Sequence, residues 1–104
     1  MQRWVVEHPA ADCSVDALAT RAAMSPRHFA RTFTREVGST PARWVEEVRV
    51  EAARLLLETT DRTVDAVATA TGFGTAETLR RAFVRRLHVA PTDYRKRFRK
   101  EPAA

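Results

Sequence analysis

The sequence predicts an all-α fold of about seven helices: two helix-turn-helix subdomains joined by a long connector helix. Three observations predict it. Apolar residues recur at helical spacing, and no stretch alternates as a strand would. Hydroxyl residues stand before these periodic runs, several followed by proline, the signature of a helix start. The pattern also occurs twice. Ser14–Thr20 is matched by Thr63–Thr69 at an offset of 49, and Phe29, Phe33, Val37 and Pro41 by Leu79, Phe83, Leu87 and Pro91 at an offset of 50. One residue has therefore been gained between Met24-Ser25-Pro26 and Phe73-Gly74-Thr75. An insertion confined to a turn leaves both flanking helices intact. Two copies are too few for a solenoid, which needs at least three.

Taken in order, residues 2–8 form a short amphipathic stretch with Trp4 and Val5 inward, ended by Pro9. After a loop at 10–13, Ser14 caps a helix over 15–23 that buries Val15, Leu18, Ala19 and Ala22. Ser25-Pro26 opens a helix over 26–37 with Phe29, Phe33 and Val37 inward, and Gly38 stops it. Thr40-Pro41 opens the connector, 41–58, whose stripe is Trp44, Val48, Ala52 and Leu55 with Val45 and Leu56 beside it. Its acidic residues Glu46, Glu47 and Glu51 should face water, and Arg49 and Arg54 should lie on the surface. Thr63 caps a helix over 64–71. Gly72-Phe73-Gly74 is the turn, with Gly72 supplying a backbone conformation that other residues resist. A helix over 75–87 follows. Pro91 starts the last helix, 91–99, with Tyr94 and Phe98 inward and a basic end of Arg95, Lys96, Arg97, Arg99 and Lys100. The expected division is 1–40, connector 41–58, 59–100, and a frayed tail at 101–104.

At 104 residues the chain makes one compact domain or two very small halves, each close to the size at which a lone core becomes marginal. The net charge is +5, and all but two of the 18 basic residues are Arg. That balance favours an acidic partner. No apolar run approaches the roughly 18 residues of a membrane span. The start lacks the apolar core of a secretory signal. The single cysteine, Cys13, excludes an internal disulfide and a thiolate-rich metal site. His8, His28 and His88 show no metal-ligand spacing. No nucleophile–base set or phosphate loop is present, so neither an enzyme nor a cofactor is expected.

The stretch Gly72–Leu87 has two unlike faces. Leu79, Phe83 and Leu87 share a stripe, and Thr78, Arg81 and Arg85 fall roughly opposite, with Glu77 near the edge. A helix that buries large apolar groups and presents guanidinium groups suits a major groove, where Arg donates in pairs to guanine O6 and N7. The first copy repeats the arrangement, with Arg27, His28, Arg31, Thr34 and Arg35 on the outer half. The competing reading is a solvated basic face on an ordinary amphipathic helix.

The doubled helix-turn-helix, the long connector, Gly72-Phe73-Gly74 leading to Leu79-Arg80-Arg81-Ala82-Phe83, and Pro91-Thr92-Asp93-Tyr94-Arg95 resemble the AraC/XylS family of bacterial transcription regulators. The resemblance covers about residues 2–99. Met24–Arg31 and Phe73–Arg81 look closest to a GlxA-like branch, whose members carry an N-terminal domain resembling DJ-1 or class I amidotransferases. The resemblance implies sequence-specific binding of double-stranded DNA for bacterial transcription regulation, with helices 26–37 and 75–87 in consecutive major grooves. It also implies an N-terminal regulatory or dimerisation domain, contact with RNA polymerase, no membrane partner and a place in the cytoplasm at the nucleoid. Carried over by motif, Arg27, His28, Ala30 and Arg31 occupy the reading positions of the first helix, and Ala76, Glu77, Thr78 and Arg81 those of the second. Ala30 and Ala76 lack a hydrogen-bonding group. Base reading is therefore expected of Arg27, Arg31, Glu77, Thr78 and Arg81.

For Arg31 and Arg81 the alternatives are a phosphate contact or a solvated side chain. Glu77 either accepts from a base or holds Arg81 through an i,i+4 pair. Backbone contact is expected of His28, Arg35, Arg80 and Arg85, and of the helix starts at Ser14, Thr40, Thr63 and Thr92. The rival function is a basic helical protein-interaction module without sequence-specific DNA binding.

Overall fold

The computed structural model describes residues 1–99, which form seven helices and no strand. They are α1 Gln2–Glu7, α2 Val15–Arg21, α3 Pro26–Val37, α4 Pro41–Thr59, α5 Val64–Ala70, α6 Ala76–Leu87 and α7 Pro91–Phe98. The tail expected at 101–104 and Lys100 of the basic end lie outside the described residues.

The helix starts follow from their caps. The hydroxyl oxygens of Ser14, Ser25, Thr40, Thr63 and Thr75 each accept from the backbone N–H three residues on, at 3.2, 3.2, 3.3, 3.0 and 3.1 Å. Each bond satisfies one of the donors a helix start leaves unpaired. The last helix differs: its cap is Ala90, which offers no side-chain acceptor, and Thr92 sits inside the first turn behind Pro91.

The ends of α2 and α5 come earlier than periodicity suggests, because the chain turns left-handed just beyond them. Ala23 has φ +56° and Gly72 φ +89°. The next residue in each copy, Met24 or Phe73, donates its N–H back to Ala19 or Ala68 at 2.9 Å. Ser25 and Thr75 are then the matching caps, so the extra residue of the second copy is Gly74, at φ +84°. Gly38 and His88, with φ +84° and +60°, end α3 and α6 in the same way.

Two apolar clusters form. The first joins Val5, Cys13, Leu18, Ala19, Phe29, Phe33 and Val45, with Trp4, Trp44 and Val48 packed at its border. The Arg21 guanidinium lies 3.7 Å from the centre of the Trp4 ring and ties α1 to α2. The second cluster joins Val50, Ala53, Leu57, Val67, Ala68, Leu79, Ala82, Phe83 and Tyr94. The connector α4 serves both. Its 19 residues make a rod about 28 Å long inside a molecule of 54 × 24 × 21 Å.

This division corrects the expected stripe on the connector. The fully buried face is Val45, Val50, Ala53 and Leu57, whereas Leu55 is 59% exposed and lines an open apolar groove with Val6, Trp44, Val48 and Ala52. A helix packed on two cores in turn, with partners on several sides, does not keep one simple stripe. Phe98 is likewise half outside at 51% exposure, its ring tilted against Tyr94 at 4.6 Å.

Arg49 and Arg54, expected on the surface, hold the frame instead, together with Arg95 and Arg99 of the basic end. Arg49 donates from Nε to the Pro9 carbonyl and from Nη2 to the Ala11 carbonyl, both at 2.9 Å. Arg54 pairs with Glu51 and reaches the Tyr94 hydroxyl at 3.2 Å, and that hydroxyl donates to Glu58 at 3.0 Å. Arg95 donates to the carbonyls of Leu57 and Thr60, each at 3.2 Å, so α7 closes the exposed end of α4. Arg99 pairs with Asp61 across the same corner.

The left-handed turns give opposite mutational expectations. A methyl group on Gly72 would collide with the Pro9 carbonyl oxygen and stand 2.6 Å from Arg49 Nε. Gly72→Ala should cost about 2–4 kcal/mol, from backbone strain and overpacking together. Ala23→Gly relieves strain of about 1–2 kcal/mol at a smaller entropic cost and should add about 0.5–1 kcal/mol. Urea unfolding of the two variants checks both signs.

Candidate nucleic-acid interface

Both candidate helices turn a hydrophobic stripe inward and a basic face outward. In α3, Phe29 and Phe33 are buried while Arg27, His28, Arg31 and Arg35 are all exposed. Ala30, Arg31, Thr34 and Arg35 border a shallow concavity of about 520 Å³. In α6, Leu79, Ala82 and Phe83 are buried and Glu77, Thr78, Arg80, Arg81 and Arg85 are exposed. Arg31 and Arg81 hold the same place in the two copies, and the Arg81 side chain is 71% exposed.

The second copy carries an acidic group inside its basic face. Glu77 Oε1 accepts from Arg80 Nη2 at 2.7 Å and from Arg81 Nε at 3.1 Å, and its Oε2 accepts from Arg80 Nε at 2.9 Å. These bonds, Arg80 first and Arg81 second, pull the Glu77 carboxyl down to about 2. The i,i+4 alternative for Glu77 is thus realised in the free protein, with Arg80 engaged at i,i+3 as well. Thr78 is held by the cap, its hydroxyl accepting from the Thr75 hydroxyl at 2.9 Å.

Of the connector's acidic residues expected to face water, Glu47 and Glu51 do, and Glu46 is the correction. Glu46 is only 28% exposed and accepts from Arg85 Nη2 at 2.7 Å and Arg86 Nε at 2.9 Å. Arg86 also donates to the Arg43 carbonyl at 2.7 Å. Burial acts to raise the Glu46 carboxyl, but the bonds from Arg85 and Arg86 outweigh it and hold it below the usual range. No local pattern could reveal this tie, because its partners are 39 and 40 residues away.

A cleft of about 540 Å³ between the halves brings Ser14, Thr78, Arg81 and Arg85 together with Glu46 and Arg49. Arg27, His28, Arg31 and Arg35 lie on the other candidate helix, outside that cleft, and Thr40, Thr63, Arg80 and Thr92 do not line it. No group of three or more metal-ligating side chains occurs among the described residues, and none of their helices is long and apolar enough to cross a membrane.

The sequence model of a family described as a helix-turn-helix domain matches residues 18–97. The HTH-type transcriptional regulator Rv1931c of Mycobacterium tuberculosis is 58% identical over 84 residues, covering 81% of this chain and 32% of that protein. The chain belongs to the AraC-type helix-turn-helix family of DNA-binding domains. A further relative of this AraC-type domain is the HTH-type transcriptional regulator MtrA of Neisseria gonorrhoeae, 34% identical over 92 residues, 88% of this chain and 31% of that protein. The chain spans about a third of the length of these two curated relatives. Among solved structures, it is similar to the DNA-binding domain of AdpA, a global transcriptional factor, in complex with a target DNA. That match has 42% identity and a TM-score of 0.88 over 92% of this chain and 86% of that one. The C-terminal domain of AraT, a response regulator from Geobacillus stearothermophilus, shares the fold at a TM-score of 0.93 with 22% identity, over 99% of this chain and 86% of that one.

The Glu77 pairing predicts a titration. A depressed carboxyl contributes stability that is complete above its ordinary value of 4.5 and is lost as pH falls through about 2. Carbon-detected NMR should show Glu77 titrating near that lower value. Arg80→Ala should move its midpoint upward, and an unmoved midpoint would mean that the pair does not persist in solution.

Proposed function

We propose that this AraC-type domain binds double-stranded DNA sequence-specifically for bacterial transcription regulation, with α3 and α6 in consecutive major grooves on one face of the duplex. One observation carries the reading: Arg31 and Arg81 occupy equivalent places in a repeated unit, and both are exposed on helices whose opposite stripe is buried. The 54 Å length of the molecule supports it, since two successive major-groove segments lie about 34 Å apart. The AdpA domain's complex with a target DNA supports the choice of partner.

Base reading falls to Arg27, Arg31, Thr78 and Arg81, and to Glu77 once it gives up an arginine. A carboxylate facing DNA works chiefly by excluding wrong sequences. Arg35, Arg80 and Arg85 carry phosphate contacts, together with His28, Ser14, Thr40, Thr63 and Thr92. Glu46 occupies one nitrogen of Arg85, whose side chain is 59% exposed and keeps donors for a phosphate. Regulation comes from a further domain of the same polypeptide, of the DJ-1 or amidotransferase type that the GlxA-like motif implies, and through contact with RNA polymerase. The setting is the bacterial cytoplasm, and the chain works as a binding protein without enzymatic activity or cofactor.

Selection of bound duplexes from a random pool of about 25 base pairs tests this. One motif with two blocks about ten base pairs apart is the expected product. Arg31→Ala should degrade one block and Arg81→Ala the other, each by about 1–3 kcal/mol of discrimination. Arg85→Ala should weaken all sequences alike and lower the salt slope by about one. A pool that yields no motif, with binding that simply fades as salt rises, would leave charge alone and sink the proposal.

A further inference from the structure

The geometry points to Arg49 as the residue that sets the spacing between the two reading helices, an assignment that rests on the two-groove reading above. Arg49 is the place where three segments meet. It projects from the connector, and it donates from two adjacent nitrogens to the Pro9 and Ala11 carbonyls of the loop after α1. Against this Arg49–Pro9 hydrogen bond passes the backbone of Gly72, in the turn that leads into α6. That approach is so close that any β-carbon would stand 2.6 Å from Arg49 Nε and 2.9 Å from Cζ. The left-handed φ of +89° keeps the turn pressed against the guanidinium without a side chain between them.

This contact is separate from both apolar clusters. Cluster members outside the connector all come from one half in each case: residues up to Phe33 in the first, and from Val67 onward in the second. The cores therefore anchor each half to the connector but not to the other half. Arg49 and Gly72 bridge directly, and they line the cleft that Ser14 shares with Thr78, Arg81 and Arg85. Glu46, one turn earlier on the connector, pins α6 from the same side through Arg85 and Arg86.

The consequence for recognition is geometric. Changing the separation of two reading blocks by one base pair moves the second block about 3.4 Å along the axis and turns it about 35°. Two arms packed separately on one rigid helix keep its length but can each tilt about it to follow such a change. Two arms clamped beside that helix cannot. Arg49 gives its donors to the Pro9 and Ala11 carbonyls rather than to a base. It is a positioning residue, and it converts two separate reading events into one measurement of distance.

Binding of the parent, Arg49→Ala and Arg49→Lys to the selected duplex tests the assignment. Duplexes with one base pair added or removed between the blocks, and a duplex with one block alone, complete the set. The parent should lose about tenfold in affinity on either spacing change, the scale of one wrong base pair. Arg49→Ala should reduce that penalty to about twofold while binding the one-block duplex as the parent does. Lysine keeps the charge and stem but offers a single nitrogen, so Arg49→Lys should fall between. It also decides the question if circular dichroism shows that Arg49→Ala has lost its helices. A folded Arg49 variant that keeps the full spacing penalty would overturn the assignment. A parent indifferent to spacing would overturn the two-groove reading itself, and with it this inference.

Discussion

The connector is the constraint on which the rest of the molecule depends. Each half has about 45 residues, a size at which a lone core is marginal. Neither cluster closes without α4. Val45 completes the first, and Val50, Ala53 and Leu57 complete the second, a turn or more further on. One rod is therefore a wall of two rooms, and bending it would open both. The end of the rod is finished from outside. Arg95 takes up the Leu57 and Thr60 carbonyls that the helix leaves unpaired, which makes part of the basic final helix structural.

Much of this was legible in the sequence because it is local. Ser14, Ser25, Thr40 and Thr63 act within three residues, so their caps could be read from type and position. The turn at Gly72 was legible because few residues accept its backbone. The outward faces of α3 and α6 followed from period alone. Illegible were contacts between residues some 40 apart: Arg49 with Pro9 and Ala11, Glu46 with Arg85 and Arg86, and Arg54 with Tyr94. An arginine on a connector looks solvated until the loop opposite it is known. The stripe at Trp44, Val48, Ala52 and Leu55 misled for a related reason. Period finds an apolar face, but only the neighbours decide which of two adjacent faces they cover.

The basic surface is moderated from within. Glu46 and Glu77 each sit between two arginines, and both carboxyls are held below their usual range. A patch of like charges repels itself, and a shared carboxylate lets two guanidinium groups stand close together. The arrangement also fixes where these arginines wait. Arg81 is tethered from the turn before it, and Arg85 from a different helix altogether. Long side chains held at the helix surface lose less freedom when a ligand takes them up.

The two left-handed positions that the units share separate copies that otherwise look interchangeable. At the inner turn the first copy has Ala23 and the second Gly72, while at the helix exit the first has Gly38 and the second His88. Each copy has kept glycine where the other has not. At the inner turn the reason is visible: Gly72 is overlain by the Pro9 carbonyl and a guanidinium, whereas Ala23 is exposed. The repeat has thus become a pair of fitted parts. A first unit transplanted into the second slot would bring alanine under Pro9 and jam the joint between the halves, so its inner turn ties it to the first slot.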